Sequence, residues 1–347
     1  MLSPPEEIAF RLVDLLQQQG EVQGGTPTPN YLKDLILNTR KSMGVGDRGG
    51  GVVVQPDDIN QTENLQQLYK ILIEPIADLL PTNPSDRIIF LPQESLFLVP
   101  FPALQDQEGK YLIEKHTILT APAIQVLQLT HNQRANQEQA IENGEILVVG
   151  NPIMPSVPPY PGEKPQQLPS LPGAENEAKA IASLFNTQPI IGNQATKSAI
   201  IQKMPEAKII HLATHGLLDE FRGLGSAIAL TPTPNDNGLL TAEAILDLKL
   251  NAELVVLSAC DTGRGRITGD GVVGLSRSLI SAGVESVLVS LWSIPDAPTA
   301  SLMTEFYHQT QQNPDKAQAL RQAMLTTIKQ HPNPRDWAAF TLIGEAE

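Results

Sequence analysis

Two residues of this 347-residue chain stand out for chemistry: His215 and its single cysteine, Cys260. A thiol becomes a good nucleophile when a nearby histidine accepts its proton or stabilises the thiolate. Attack of a thiolate on a peptide carbonyl creates an oxyanion, which backbone N–H groups in glycine-containing turns can bind. The pattern therefore predicts nucleophilic catalysis, with the N–H groups of Gly216 and Cys260 as the oxyanion hole.

Both residues follow apolar runs that are typical of buried strands. His215 comes after the run 207–214, and Cys260 comes shortly after the run 253–258. In open parallel sheets, ligands bind just beyond the carboxyl ends of the strands. If these two strands are neighbours, His215 and Cys260 emerge at the same edge of the sheet.

Apolar runs alternate with amphipathic segments from residue 145 onward. The alternation predicts strands at 145–150, 189–191, 207–214, 253–258, 286–292 and 337–343, and helices at 174–185, 197–204, 241–248, 271–282, 297–312 and 315–330. Such alternation indicates an α/β fold with a parallel sheet covered by helices on both faces. Earlier runs at 88–92 and 95–100 end in proline, as strands do, and the proline-dense stretch 151–173 predicts a loop.

The first hundred residues are predicted to be mainly helical. Apolar residues recur at helical spacing from Ile8 and again from Leu65. The glycine-rich stretch 44–51 between them lacks the Lys-Ser/Thr ending of a phosphate loop. We interpret this glycine-rich stretch as a flexible connector.

Each member of the pair also has a structural interpretation. Cys260 could be a buried thiol, and His215 could be satisfied by a backbone carbonyl. His211 points to the same side of its strand as His215, so the two histidines and Cys260 could be drawn as a zinc site. That site lacks an obvious fourth ligand, and we interpret His211 as a residue that packs and hydrogen-bonds beneath the site. On the residues alone, the catalytic and structural interpretations both stay open.

Two motifs for other enzyme classes are weak or missing. Gly269, Gly271 and Gly274 match the dinucleotide fingerprint by letter, but about ten residues separate them from the preceding strand, which the fingerprint should follow directly. The Gly-x-Ser-x-Gly elbow of serine hydrolases does not occur. We therefore expect no nucleotide cofactor.

The overall composition limits the compartment and the partners. A formal net charge of −14 argues against nucleic acid, because phosphate binding needs clustered Lys and Arg. One cysteine cannot form an internal disulfide. The N-terminus carries acid where a signal peptide carries base, and no run approaches the roughly eighteen apolar residues of a membrane span. We expect a cytoplasmic protein without a membrane partner.

The segments around His215 and Cys260 resemble the two signatures of the CHAT domain, a bacterial caspase-like module often fused to tetratricopeptide repeats. These segments are residues 209–216 and 254–263. Further matches follow in order at 148–152, 171–175, 238–241, 271–277, 282–283, 290–292 and 337–340. The resemblance covers roughly residues 65–347, although the repeats themselves do not occur in the chain. It implies a CHAT domain at 65–347 with a catalytic core from about residue 140, preceded by a helical extension with a glycine-rich linker at 1–64.

The resemblance implies a caspase–hemoglobinase fold and a cysteine endopeptidase, with His215 as general base and Cys260 as nucleophile. Their separation of 45 residues (260 minus 215) agrees with the roughly 50 expected between the histidine and cysteine of caspases. The caspase Gln-Ala-Cys-Arg-Gly signature is absent, so a preference for substrate aspartate is not implied. Activity could depend on a partner or on ordering of the 261–271 loop, and the alternative is a catalytically silent interaction module.

By analogy with the fold, a pocket is expected for the substrate residue before the cleaved bond. It would be lined by Ser258, Asp261, Trp292, Ser293 and Asp296. The two aspartates could read a basic side chain, although Asp261 could equally cap a turn. The implied partners are a protein or peptide substrate and a tetratricopeptide-repeat or other regulatory protein, with no metal and no cofactor.

Overall fold

A computed structural model of the chain describes residues 29–45, 58–137, 145–158, 162–217, 223–258, 269–292 and 294–346. In these ranges the strands are β1 (Arg87–Phe90), β2 (Thr117–Thr120), β3 (Glu145–Pro152), β4 (Ser156–Val157), β5 (Gln166–Gln167), β6 (Ile190–Gly192), β7 (Ala207–Ala213), β8 (Gly216–Leu217), β9 (Ala227–Ala229), β10 (Leu239–Thr241), β11 (Leu254–Ser258), β12 (Ser286–Ser290) and β13 (Phe340–Gly344).

Ten α-helices are described in the same ranges. They are α1 (Pro29–Ser42), α2 (Asp58–Leu72), α3 (Leu112–Lys115), α4 (Ile124–Gln137), α5 (Pro172–Leu184), α6 (Lys197–Lys203), α7 (Ala242–Leu246), α8 (Gly269–Ser281), α9 (Asp296–Gln312) and α10 (Lys316–Ile328). Short 3₁₀ helices lie at Glu74–Leu79, Glu94–Leu98, Phe101–Ala103, Met204–Glu206, Gly223–Gly225 and Pro334–Asp336.

Within the described residues, eight strands form the main sheet in the order β1-β2-β13-β12-β11-β7-β3-β6. The block from β12 to β6 is parallel throughout. The strand β13 runs antiparallel to β12 and parallel to β2, and β2 is parallel to β1. The strands β11 and β12 are buried along their whole length, which explains their continuous apolar runs.

Helices cover both faces of this sheet. The connection β3–α5–β6 leads towards one edge, and β11–α8–β12 leads towards the other. Because such crossovers are right-handed, α5 and α8 lie on opposite faces. The helix α9 packs against α5 and α10, whereas α8 packs against α7 and β12. The predicted fold class, a mainly parallel sheet flanked by helices on both faces, is confirmed.

The helix α5 lies unusually close to the sheet because the strand beneath it carries Gly150. A Cβ at this position would lie 2.5 Å from Cβ of Ala178 and 2.7 Å from the carbonyl oxygen of Ala174. Any side chain at residue 150 would therefore push α5 outward. The close packing brings side chains of α5 within reach of the strands next to β3.

The strand predicted at 95–100 is wrong. Residues Glu94–Leu98 form a 3₁₀ helix whose backbone bonds close locally, from Leu96 N to Gln93 O and from Val99 N to Leu96 O. Pro100 has no N–H to donate to a sheet ladder, and a second 3₁₀ turn follows it. The segment is apolar because it packs into the core, where Phe101 stacks on Phe90.

The loop predicted at 151–173 contains a short antiparallel hairpin, β4–β5. We call residues 152–158 and 162–171 of this loop the covering segment.

The last predicted strand begins at Phe340, three residues later than expected, because Pro334–Asp336 forms a 3₁₀ helix just before Trp337.

The N-terminal part of the chain contributes helices to the same structure. The helix α1 packs against α2 and against the 3₁₀ helix Glu94–Leu98. The helix α2 runs across the boundary expected between residues 64 and 65, and that boundary stays a prediction. The helix predicted around Ile8 and most of the predicted linker lie outside the described residues.

Across the described ranges, no helix is long and apolar enough to cross a membrane. The cytoplasmic location stays a prediction.

Candidate functional site

The strands that lead to the two candidate catalytic residues are direct neighbours. They run parallel, and Ser258 at the end of β11 pairs with Ala213 at the end of β7. His215 follows Ala213 by two residues, as Cys260 follows Ser258 by two. Cys260 itself lies outside the described residues. The condition set by the sequence, neighbouring strands with a shared carboxyl edge, is therefore met.

The imidazole of His215 is completely buried, and one ring nitrogen contacts a backbone carbonyl. Its Nε2 lies 2.8 Å from the carbonyl oxygen of Pro169 in the covering segment. A carbonyl oxygen only accepts hydrogen bonds, so this contact requires a proton on Nε2. In the neutral ring Nδ1 is then the basic nitrogen. The structure thus assigns a tautomer that could take a proton through Nδ1.

The backbone around His215 is held by β9. The N–H of Ala229 donates to the carbonyl of His215 at 2.9 Å, and the hydroxyl of Thr214 donates to the carbonyl of Ala229 at 2.7 Å. Hydrogen-bonded and non-hydrogen-bonded pairs alternate in antiparallel strands, so the next pair, Gly216 with Ile228, is non-hydrogen-bonded. The N–H of Gly216 therefore points away from β9, as an oxyanion donor requires, and its assignment to the oxyanion hole stays a prediction.

Asn151 joins the two ends of the covering segment, where it leaves β3 and where it meets α5. Its side-chain oxygen accepts hydrogen bonds from the N–H of Leu171 at 2.8 Å and the hydroxyl of Ser170 at 3.2 Å, and its amide donates to Glu175 at 3.2 Å. Its φ of 44° is left-handed, a conformation that asparagine tolerates better than most residues. These bonds hold Ser170 and Leu171, the two residues that follow Pro169, and so hold the Pro169 carbonyl against His215.

A small apolar cluster seals the contact between the covering segment and the histidine strand. Its buried members are Met154, Val157, Leu168, Leu217 and Ala229. Three of these residues come from the covering segment, and two come from β8 and β9. His215 is therefore enclosed in the described structure.

Beneath this edge lies a buried polar cluster of Glu177, His211, Ser258 and Tyr307. The hydroxyl of Ser258 donates to Oε1 of Glu177 at 2.5 Å, and Nδ1 of His211 lies 3.1 Å from the hydroxyl of Tyr307. Nε2 of His211 lies 3.2 Å from the same Glu177 oxygen, but its N–H is too poorly aligned to count as a hydrogen bond. Burial, and then the charge of Glu177, raise the pKa of Tyr307 well above its usual value.

His211 behaves as the sequence predicts, packing and hydrogen-bonding beneath the site. Its ring also makes an edge contact with Tyr307, with 5.7 Å between the ring centroids. The described residues hold no group of three His, Cys, Asp or Glu side chains that could bind a metal ion. No zinc site is assigned to these histidines.

Comparison with known proteins places this site in a family. The family model of the CHAT domain matches residues 62–345. The chain belongs to the CHAT domain family. The resemblance predicted from the sequence is confirmed.

Curated relatives of this CHAT domain are much longer proteins. Tetratricopeptide repeat protein 28 of Mus musculus and of Homo sapiens are each 29% identical over 330 residues, which cover 81% of this chain and 13% of each relative. The chain thus spans about an eighth of their length.

The solved structures to which the chain is similar share little sequence with it. The Arg-specific cysteine proteinase gingipain R is 13% identical, with 91% of this chain and 75% of that chain covered and a TM-score of 0.49. A separase–securin complex of Saccharomyces cerevisiae is 12% identical, with 99% of this chain and 22% of that chain covered and a TM-score of 0.48.

Two predicted pocket residues of the CHAT domain are present at the shared edge, but their side chains are buried. The hydroxyl of Ser258 is bonded to Glu177, and the ring of Trp292 is 1% exposed. The Trp292 Nε1 donates to the carbonyl of Arg335 at 2.8 Å, and the guanidinium of Arg40 lies 5.0 Å from the centroid of its ring. Neither side chain faces an open pocket in this structure.

The third described pocket residue, Asp296, is exposed in the first turn of α9. Its carboxylate packs against Gly173 at the start of α5, where a Cβ would lie 1.9 Å from Cγ of Asp296. Asp261 and Ser293 lie outside the described residues. The pocket assignment stays a prediction, with Asp296 as its accessible described member.

The sequence interpretation of this CHAT domain missed Glu177 and Asn151. A signal for Glu177 exists, because the buried positions of α5 include Ala174, Glu177, Ala178 and Ile181 at spacings of three, four and seven. A carboxylate in the middle of such an apolar stripe has to find a buried donor. Asn151 follows a buried strand and precedes a proline, a pattern that many turns share, so no signal separates it from an ordinary loop residue.

Proposed function

We propose that this CHAT domain is a cysteine endopeptidase of the caspase-like type, with His215 as general base and Cys260 as nucleophile. The observation that carries the proposal is the contact between Nε2 of His215 and the carbonyl of Pro169. It fixes the tautomer whose Nδ1 accepts a proton, at the end of the strand next to the one that leads to Cys260.

In the proposed reaction, Nδ1 of His215 accepts the thiol proton as the thiolate of Cys260 attacks a peptide carbonyl. The N–H groups of Gly216 and Cys260 donate to the oxyanion that forms. The C–N bond of the peptide then breaks, and the imidazolium donates its proton to the leaving amine. A water molecule, deprotonated by His215, hydrolyses the thioester and releases the acid product.

The enclosure of His215 supports dependence of this activity on an activating partner. Because the ring is 0% exposed, a peptide reaches it only after the apolar cluster around it opens, while the contact with Pro169 that fixes the tautomer is kept. The name of the curated relatives, tetratricopeptide repeat protein 28, supports a tetratricopeptide-repeat protein or segment as that partner. Protein or peptide substrates complete the proposed set of partners.

The same enclosure favours a second candidate function, a catalytically silent interaction module. A histidine satisfied by a backbone carbonyl and sealed by apolar side chains needs no catalytic role to be stable. The two candidates differ in the reactivity of Cys260.

The test is cleavage of a peptide library by the wild type, Cys260→Ala and His215→Ala, with and without an added tetratricopeptide-repeat protein. The exposed His308 provides a matched control as His308→Ala. We expect cleavage by the wild type and the control, and a loss of roughly a thousandfold or more in each dyad variant.

Labelling with a thiol-directed peptide probe reports the same site, because the chain has one cysteine. Undiminished cleavage by Cys260→Ala would contradict the proposed dyad. Absence of both cleavage and probe labelling in the wild type, in all conditions including the added partner, would support the silent module instead.

A further inference from the structure

The four members of the buried cluster come from four different elements. Glu177 projects from α5, His211 from β7, Ser258 from β11 and Tyr307 from α9. The side chains of Glu177 and His211 are 4% and 0% exposed, and Ser258 and Tyr307 are at 0% as whole residues. The cluster therefore joins both neighbouring strands of the candidate site to the two helices that cover this face.

The burial of the Glu177 carboxylate is unfavourable unless other interactions compensate it. An ionised carboxyl group removed from water costs several kcal/mol unless it gains hydrogen bonds. The other buried positions of the α5 stripe are small or apolar, and an apolar residue at 177 would pack without that cost. The donor that Glu177 gains is the hydroxyl of Ser258.

Ser258 occupies a special position, since it is the last residue of β11 that pairs with β7. The strand pairs on both sides up to Leu257, whereas Ser258 pairs with β7 alone in the described structure. The direction in which the chain leaves the sheet depends on how that last residue is held. The short Ser258–Glu177 bond ties it to the close-packed helix α5.

We propose that Glu177 is a positioning residue that holds Ser258, and through it the end of β11 from which the chain runs to Cys260. The inference rests on the proposed function insofar as it concerns catalysis, but its effect on the thiol does not require that the protein cleave peptides. In this role Glu177 acts through Ser258. His211 and Tyr307 complete the cluster, with Nε2 of His211 3.2 Å from the same Glu177 oxygen and its Nδ1 3.1 Å from the Tyr307 hydroxyl.

Alkylation of the single cysteine by iodoacetamide, measured as a function of pH, tests the inference without a substrate. A thiol held beside a histidine reacts at lower pH than an ordinary thiol, whose pKa is about 8.5. We expect Ser258→Ala to move the midpoint of the alkylation profile upward by roughly one unit relative to the wild type. In peptide cleavage we expect kcat to fall roughly a hundredfold in Ser258→Ala with little change in KM, because small misplacements of catalytic groups cost about this much.

Two further variants separate positioning from stability. Tyr307→Phe removes the buried hydrogen bond between Tyr307 and His211 and leaves the Ser258–Glu177 bond intact. We expect it to lower the unfolding temperature without moving the alkylation profile. Glu177→Gln keeps an oxygen that can accept from Ser258, so we expect a profile and a kcat between those of the wild type and Ser258→Ala.

Each outcome decides the inference. If folded Ser258→Ala and Glu177→Gln keep the wild-type alkylation profile, the inference is overturned, whatever the cleavage assay shows. It is also overturned if Tyr307→Phe moves the profile as far as Ser258→Ala does. If the wild type cleaves nothing even with the added tetratricopeptide-repeat protein, but Ser258→Ala and Glu177→Gln shift the profile and Tyr307→Phe does not, the positioning role stands and the proposed peptidase falls. Should Ser258→Ala fail to fold, the comparison of Glu177→Gln with Tyr307→Phe gives the same decision.

Discussion

Single hydrogen bonds at strand ends define the chemistry available to this CHAT domain. The carbonyl of Pro169 fixes which nitrogen of His215 is basic. The side chain of Asn151 fixes Ser170 and Leu171, the two residues that follow Pro169. None of these contacts involves a side chain of the proposed dyad other than that of His215. A change at Asn151 should therefore reach the imidazole through the backbone of the covering segment.

We predict that Asn151→Ala destabilises the fold by about 2 kcal/mol, because it removes three hydrogen bonds and places alanine at a left-handed φ. Asn151→Gly removes the same bonds without the backbone strain, so it should lose about 1 kcal/mol less. Urea unfolding measures both values, and nitrogen chemical shifts of His215 should show mixing of the two tautomers in each variant. Wild-type stability in Asn151→Gly would mean that the side chain holds nothing in place.

At the scale of elements, helix α1 is tied to the edge of the sheet that carries the site. Arg40 of α1 is buried and donates to the carbonyl of Leu98 at 3.3 Å and to that of Leu291 at 2.8 Å. Its guanidinium also stacks over Trp292, which follows β12. This helix precedes the residues matched by the family model, yet it holds the strand end beside β11.

We predict that Arg40→Ala lowers the free energy of unfolding by about 2 kcal/mol or more, because two buried carbonyl groups lose a charged donor and Trp292 loses its stacking partner. The exposed neighbour provides the control Lys41→Ala, for which no more than about 0.5 kcal/mol is expected. Urea denaturation of the full chain measures both. Equal effects of the two substitutions would show that α1 is not anchored through Arg40.

The elements that the sequence predicts well are those whose environment is uniform. The strands β3, β7, β11 and β12 are buried on both faces, so their apolar runs are continuous and unmistakable. The run 95–100 has the same composition, but its burial comes from packing of a 3₁₀ helix, which composition does not separate from a strand. The sequence also does not predict that β13 lies antiparallel beside β12, because residue patterns carry no information on strand order.

The residues of the candidate site also differ in how well the sequence predicts their role. His215 was found because a histidine at the end of a buried run is conspicuous. Ser258 was assigned to a substrate pocket from its position, whereas its hydroxyl is bonded to Glu177, 81 residues earlier in the chain (258 minus 177). A partner so distant in sequence becomes visible only when the helix that carries it has been placed on the sheet.

At the scale of the whole molecule, the edge opposite the site carries a buried pair of opposite charges. Glu285 precedes β12 and Lys316 begins α10, and both are largely buried. Burial raises the pKa of Glu285 from 4.5 to about 7, against the opposing charge of Lys316. Burial likewise lowers the pKa of Lys316, although carboxylates of Glu285, Glu253 and Glu345 act against that shift.

The raised pKa of Glu285 predicts a loss of stability as pH rises. Between about pH 4.5 and 7 the folded chain binds more protons at this group than the unfolded chain, so its contribution is fully present below pH 4.5 and is lost as pH rises through 7. A shift from 4.5 to about 7 corresponds to at most about 3 kcal/mol. We predict that Glu285→Gln gains stability relative to the wild type over this range and keeps a constant advantage above it.

Thermal unfolding of both proteins at pH steps from 4 to 8.5 measures this difference. The surrounding charges of Arg134, Glu253, Glu345 and Lys316 are common to the two proteins, so their own titration largely cancels in the comparison. A stability difference that does not change with pH would contradict the raised pKa.

The enclosure of His215 limits the turnover rate of the proposed peptidase. Turnover cannot exceed the intrinsic rate multiplied by the fraction of molecules in which the apolar cluster around His215 is open. If opening costs about 4 kcal/mol, about one molecule in a thousand is open at any moment, since each 1.4 kcal/mol is a factor of ten. A partner that binds only the open form could then raise activity up to about a thousandfold without touching the dyad. In the proposed peptidase, enclosure of His215 by the apolar cluster would by itself keep the chain latent until such a partner binds.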